Sequence, residues 1–188
     1  SLLGFQYTPD QSPPALKAAL WSLHQWAGQK TDGVGNYAYS QPLPENGLEV
    51  QSLDADSYKC NRFVGDAYAI GANKGYAVNG KGGGYPTGER SLLARLFGKS
   101  YGYPRAANEL ANPSLQIPNM QVTQNPVVGD IMAFASSGGP GHSGINLGHN
   151  LFISARNSAS RPVPSMQAQD GVHIKRPVSG GVFRHYSE

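Results

Sequence analysis

The sequence has very little cysteine, and this scarcity limits both how the chain can be stabilised and what it can do. Its 188 residues include one cysteine, Cys60. A single thiol cannot form a disulfide within the chain, so cross-links do not hold this fold together. Cys60 therefore needs another explanation, either as a small buried apolar residue or as a reactive group.

Charge and long apolar runs are also scarce. Charged residues make up 14% of the chain, the formal net charge is +3, and no run of Lys and Arg exceeds two residues. Such a diffuse charge is not the footprint of a nucleic-acid-binding protein. No apolar stretch approaches the ~18 residues of a membrane span, and the first residues lack the basic and apolar regions of a signal peptide. We expect no nucleic-acid partner, no membrane insertion and no signal peptide in this sequence.

The pattern along the chain predicts a single α+β domain over residues 1–188, with a core at about 57–186 and an N-terminal helix and loop extension at 1–56. Glycine (24) and proline (14) favour short elements with long connections. Apolar spacings of three and four predict helices early in the chain, and period-two patterns predict an antiparallel meander later. The first predicted helix follows Pro14 and ends before Gly28, and the second starts near Asp56 or Ser57 and ends at Gly71. Two shorter helices are predicted at about 89–97 and 105–111. The predicted strands cover 130–135, 143–147, 151–155, 172–175 and 182–186.

Cys60 lies where an acidic, hydroxyl-bearing stretch gives way to an apolar-periodic one, which places it in the first turn of the second helix. Helix N-termini have unpaired N–H groups and the positive end of the helix dipole, and both favour a thiolate. A lone cysteine in this position, with histidines downstream, is a candidate nucleophile.

Histidine is the most common base for such a thiol, and the chain has five. His24, His173 and His185 carry no accompanying signal, and His149 falls in a predicted hairpin turn with Asn150. His142 remains, because it opens a strand directly after a glycine-rich turn at 138–141. Pairing with Cys60 makes His142 the preferred candidate base.

Three blocks of sequence resemble the signature motifs of the NlpC-type papain-like cell-wall peptidases, with the CHAP amidases as close relations. They are Lys-Cys-Asn-Arg-Phe-Val-Gly-Asp at 59–66, Gly-Asp-Ile-Met-Ala-Phe at 129–134 and His-Ser-Gly-Ile-Asn-Leu-Gly at 142–148. The resemblance extends from about Ser57 to Lys175. It implies a papain-like fold in which N-terminal helices pack on a C-terminal antiparallel sheet.

The resemblance also implies roles for individual residues. Cys60 is the expected nucleophile and His142 the expected base. Family spacing points to Ser154 as the polar residue that orients the imidazole, although histidine, asparagine or glutamine is more usual there. Asn157 or His149 could take this role if the strand bulges.

The residues around Cys60 depart from those family members that recognise a free amine, which usually have Asp before the cysteine and Ser after it. Here the neighbours are Lys59 and Asn61, so the counter-charge for an ammonium group is missing. We expect a substrate without a free amine, or one with a carboxylate near Lys59 and Arg62. Tyr85 is a further candidate for substrate binding.

Two other site types are disfavoured. The glycine-rich segment 79–85 has no following Gly-Lys-Ser/Thr, so a mobile loop is favoured over a phosphate-binding loop. A zinc site at Cys60, His142 and His149 lacks any closely spaced pair of ligands. We therefore expect no metal and no cofactor.

Taken with the resemblance, these features predict a monomeric cysteine amidohydrolase that cleaves a peptide of bacterial peptidoglycan. Similar chains include antibacterial toxins exported by type VI or related secretion systems into the periplasm of a target cell, each blocked by an immunity protein. One alternative is a Cys-His deamidase or transglutaminase-like toxin that acts on a protein glutamine. Another is a non-enzymatic wall-binding module with a tyrosine stacking surface, formed by Tyr37, Tyr39, Tyr85, Tyr101 and Tyr103.

Overall fold

The computed structural model describes residues 13–29, 37–39, 42–43, 58–74, 87–88, 103–139, 141–156, 171–177 and 180–187. The predicted helix at 89–97 lies outside these residues. In chain order the elements are α1 (Pro14–Ala27), α2 (Cys60–Asp66) with a π-helical extension (Ala67–Gly71), β1 (Thr87–Gly88), β2 (Tyr103–Pro104), α3 (Ala107–Leu110), β3 (Met120–Thr123), β4 (Ile131–Phe134), β5 (His142–Gly148), β6 (Leu151–Arg156), β7 (Gly171–Lys175) and β8 (Val182–Tyr186).

The main sheet has six antiparallel strands in the order β3-β8-β4-β5-β6-β7. Strands β4 to β7 form the predicted meander, but β8 returns to pair between β3 and β4. Two details of the prediction were therefore wrong: the last strand does not extend the meander, and β3 was missed. Strand β3 is short and mostly exposed, so it lacks the alternating apolar pattern that identifies a half-buried strand.

The register of the strands assigns their side chains to two faces. Ile145 lies opposite Ile153 and Ile131, so these residues share one face, which is the core face. Helix α2 packs against β5 and β6, and its Phe63 and Val64 belong to the same buried cluster. The intervening residues of each strand point to the other face. That second face carries His142, Gly144, Phe152, Ser154, Arg156, His173 and Lys175.

Helix α1 approaches the sheet very closely. A Cβ atom on Gly129 would lie 1.8 Å from the carbonyl oxygen of Ala15, and Gly129 has φ +97°. The Tyr68 hydroxyl donates a hydrogen bond to the Gly129 carbonyl at 2.7 Å. Glycine is required here because both the backbone conformation and the space exclude a side chain. These contacts hold the start of β4 against α1 and against the π-helical extension of α2.

The predicted helices agree with the structure in position but differ at their ends. Helix α1 begins at Pro14 and ends before Gly28, as the sequence predicts. Helix α2 begins at Cys60 itself, with Lys59 as N-cap residue and no side-chain cap. The predicted N-cap at Asp56 or Ser57 was wrong, because Tyr58 and Lys59 are not helical and Cys60 is the first helical residue. Of the predicted helix 105–111, only Ala107–Leu110 is α-helical.

Candidate active site

Cys60 is buried at the start of α2, with 3% of its surface exposed. The N–H groups in the first turn of a helix have no partner within the helix. One of them, the Arg62 N–H, donates to the Asn61 side-chain oxygen at 2.9 Å. The Cys60 and Lys59 N–H groups face the Tyr39 hydroxyl oxygen, and these two backbone hydrogen bonds oppose the rise in the pKa of Tyr39.

The predicted pair of His142 and Ser154 is present. Nε2 of His142, the first residue of β5, lies 2.9 Å from Oγ of Ser154 on β6. Ser154 is fully buried. Gly144 lies between them on the same face, and a Cβ there would come within 2.9 Å of Ser154 Cβ. The absence of a side chain at Gly144 is therefore what allows the serine to reach the imidazole.

His142 is held in its neutral form. Burial lowers the pKa of His142 to about 4, and the positive charge of Arg156 lowers it further. The ring also packs edge-on against Phe152, with centroids 5.9 Å apart. Among the described residues, Nδ1 has no hydrogen-bond partner. A neutral imidazole with one oriented and one open nitrogen can accept a proton, and a pKa of about 4 makes it a weaker base than one with a pKa near neutral pH.

Tyr39 lies against the thiol, which the sequence did not indicate. Burial raises the pKa of Tyr39, and the charge of Cys60 and a side-chain hydrogen bond to Cys60 raise it further. The Tyr39 hydroxyl also donates to the Ala155 carbonyl at 3.1 Å. A phenol has one proton and two acceptor sites, so with its proton on the Ala155 carbonyl the Tyr39 oxygen accepts from the S–H.

Arg156, at the end of β6, is a charged group near both Cys60 and His142. Burial lowers the pKa of Arg156, while Tyr39 and Cys60 raise it. The same guanidinium acts on His142. Arg156 therefore lies within electrostatic reach of both the thiol and the imidazole. Arg156 could not be predicted as a site residue, because a basic residue after an apolar strand is usually a solvated strand end.

Cys60 and His142 are not hydrogen-bonded to each other. The helix that carries Cys60 packs on the core face of the sheet, whereas His142 and Ser154 point to the second face. Arg156 at the end of β6 acts electrostatically on both groups, and the neighbouring Ala155 carbonyl accepts from Tyr39. The structure thus brings His142 together with Ser154, and separately the thiol with Tyr39.

The charged neighbours of Cys60 have internal partners. Lys59 is fully buried and its Nζ donates to the Tyr39 carbonyl at 3.0 Å. Arg62 is 1% exposed and forms an ion pair with Asp66 at 3.0 Å. These contacts disfavour the predicted role of both residues in binding a substrate carboxylate. They fix the helix start and the segment that carries Tyr39.

The remaining predicted residues fall into two groups. Asn157 and Tyr85 lie outside the described residues. His149 is exposed at the tip of the β5–β6 hairpin with φ 49°, next to Asn150 with φ 57°, as the predicted turn requires. It lies at the opposite end of β5 from His142, so it does not orient that imidazole.

Tyr37 and Tyr39, whose side chains the structure describes, do not form the predicted tyrosine stacking surface. Tyr37 and Tyr39 are 5% and 8% exposed, and their hydroxyls bond Asp66 and Ala155 respectively. A stacking surface needs exposed ring faces, so neither residue can contribute to one. Tyr85 and Tyr101 lie outside the described residues, and of Tyr103 only the backbone is described.

The part of the chain that the structure describes contains no group of three or more His, Cys, Asp or Glu side chains that could hold a metal ion. None of its helices is long and apolar enough to cross a bilayer. Asp130 ties down the turn before β4 by accepting from the Val127 N–H at 2.8 Å, and it also bonds His185 Nδ1 at 2.6 Å.

Comparison with known proteins gives no relative: no protein family, no curated protein and no solved structure matches this chain.

Proposed function

We propose that this chain is a papain-like cysteine amidohydrolase that cleaves an amide bond in a bacterial cell-wall peptide. The observation that carries the proposal is the 2.9 Å contact between His142 Nε2 and Ser154 Oγ. It engages one ring nitrogen, leaves Nδ1 for a thiol, and occurs at the spacing that the resemblance implies. The only thiol of the chain begins a helix that packs on the same two strands.

In the proposed reaction, Nδ1 of His142 takes the proton of Cys60, and Sγ attacks the amide carbonyl carbon. This step requires the imidazole and the thiol to come within hydrogen-bond distance at the end of β6. Such contacts are often looser without a substrate than with one. Ser154 keeps the ring oriented as it becomes charged, although a hydroxyl stabilises an imidazolium less than a carboxylate does.

Two donors close to Sγ can stabilise the tetrahedral intermediate, the backbone N–H of Cys60 at the start of α2 and the Tyr39 hydroxyl. Each has to turn from its present partner to do so, the amide from Tyr39 and the hydroxyl from the Ala155 carbonyl. This reorganisation takes up part of the stabilisation that an oxyanion donor provides. His142 then protonates the leaving amine, a thioester remains, and water hydrolyses it to release the acid and restore the thiol.

Bacterial wall peptide is proposed as substrate because of the resemblance of the three sequence blocks. The same resemblance leads us to propose delivery to the periplasm of a target bacterium and inhibition by a cognate immunity protein. Expression with and without an added export signal tests this. We expect lysis only on export to the periplasm, and no lysis with Cys60→Ala.

Toxicity confined to the cytoplasm would contradict the wall substrate. It would favour the alternative of a deamidase or transglutaminase-like toxin, since a Cys-His site serves these reactions as well. Mass analysis separates the reactions, because deamidation of a glutamine shifts a protein by about one dalton whereas wall cleavage releases peptide fragments.

A further inference from the structure

Two cations beside the site have no acidic partner among the described residues. The ion pairs there join Arg62 to Asp66, Arg105 to Glu109 and His185 to Asp130. Arg156 and Lys175 take part in none of them, and their side chains make no hydrogen bond to another described residue. Both are partly buried, and burial lowers the pKa of each. Both charges are thus partly withdrawn from water, and among the described residues only Tyr39 and Cys60 offset this, at Arg156.

The strand register places both cations on the face that carries the candidate base. Arg156 is two residues beyond Ser154 on β6, so the two side chains point the same way. Lys175 lies opposite Phe152 on β7, and Gly171 lies opposite Arg156. Gly171 has no side chain, so the residue paired with Arg156 does not itself cover the guanidinium.

The two cations also act on each other. The positive charge of Arg156 contributes to the lowered pKa of Lys175. Placing like charges together in a partly buried position is unfavourable unless an anion joins them. The planar guanidinium matches a carboxylate with two parallel hydrogen bonds, and an ammonium adds a second charge.

We propose that Arg156, assisted by Lys175, binds a free carboxylate of the substrate close to the scissile amide. This inference rests on the proposed function and names the feature of the substrate that the site recognises. The anion would therefore bind on the second face of the sheet, and not at Lys59 and Arg62, which are buried with internal partners. A cell-wall peptide with a free carboxylate beside the cleaved bond is the substrate class.

The test uses two synthetic stem peptides that differ only in this group, one with the free carboxylate and one with the carboxamide. We expect the wild-type protein to prefer the carboxylate by about 10- to 100-fold in kcat/KM, the range of a charge-assisted hydrogen bond. Arg156→Gln should reduce this preference to less than about threefold, and Lys175→Gln should reduce it partly. Arg176→Gln, which removes an exposed charge next to Lys175, should leave it unchanged.

The same two peptides are titrated onto Cys60→Ala, so that binding is measured without turnover. Equal affinity for both peptides would overturn the inference. It would also be overturned if Arg156→Gln lost activity equally on both peptides, because Arg156 would then act only through Cys60 and His142. Preferential binding of the carboxylate peptide without cleavage by the wild type would instead contradict the proposed function. Arg156→Lys, which keeps the charge but not the planar group, should retain an intermediate preference.

Discussion

The side chains of His142 and Ser154 meet 2.9 Å apart although the residues belong to different strands and lie twelve positions apart in sequence. The contact depends on two glycines. Gly141 has φ +72°, and a Cβ there would lie 2.5 Å from the Phe134 carbonyl oxygen, so only glycine fits before the histidine. Gly144 leaves the space through which the serine reaches the ring. The backbone therefore sets the orientation of the imidazole.

Ser154→Ala should lower kcat by about 10-fold with little change in KM, because the ring loses its orientation but the substrate contacts remain. The matched control is Ser143→Ala. Ser143 is equally buried, but its hydroxyl has no hydrogen-bond partner among the described residues. Steady-state kinetics on the two variants should show the loss only for Ser154. Equal rates for the two variants would contradict the role of Ser154.

Tyr39→Phe removes the hydroxyl beside the thiol and should lower kcat by about 10²-fold, the effect of losing one oxyanion donor. Tyr37→Phe is the control from the same segment. The Tyr37 hydroxyl donates to buried Asp66 at 2.7 Å, so its loss should destabilise the fold by about 1–3 kcal/mol and leave kcat unchanged. Thermal unfolding and kinetics together distinguish the two effects; an unchanged kcat in Tyr39→Phe would remove Tyr39 from the mechanism.

The pH dependence of kcat/KM should show its acid limb near pH 4 rather than near 6.5, because only neutral His142 accepts a proton and its pKa is lowered to about 4. Activity is thus fully present above the ordinary histidine range and is lost as pH falls through about 4. In Arg156→Gln the limb should move upward but stay below 6.5, since burial is the larger cause and persists. Histidine NMR titration of both proteins measures this, and an unmoved pKa would contradict the electrostatic contact.

Arg184 should be among the most important residues for stability, although it lies outside the site. Its guanidinium donates to the carbonyls of Leu110, Asn112, Leu115 and Met120, and the side chain is buried. Arg184→Met removes these four hydrogen bonds and should cost about 2–4 kcal/mol in the free energy of unfolding. Denaturant unfolding should give less than about 1 kcal/mol for Arg105→Gln, which removes a partly exposed ion pair with Glu109. A similar loss in both variants would refute the assignment.

The sequence predicts those parts of the fold that depend on local pattern. Helix α1, the strands from β4 to β8 and the turn at His149 and Asn150 follow from apolar periodicity and turn residues, and all are present. The place of β8 between β3 and β4 could not be predicted, because strand order depends on long-range packing. The same limit applies to β3, whose exposed residues give no periodic signal.

The site shows a similar division. The contact between His142 and Ser154 follows from sequence spacing, which a regular hairpin preserves. Tyr39 could not be assigned to the thiol, because it lies 21 residues before Cys60 (60 − 39) in a polar segment with no periodic pattern. The burial of Lys59 and Arg62 could not be predicted either, since charged residues are rarely buried unless partners compensate their charge. Those partners come from Tyr39 and Asp66.

Mass spectrometry of the products released from purified bacterial cell walls tests the central claim most directly. Walls are digested with the wild-type protein and with Cys60→Ala, and the soluble fragments are compared. The account predicts fragments cut at one type of amide bond by the wild type and none by the variant. Identical fragments from both proteins, or no fragments from either, would contradict it.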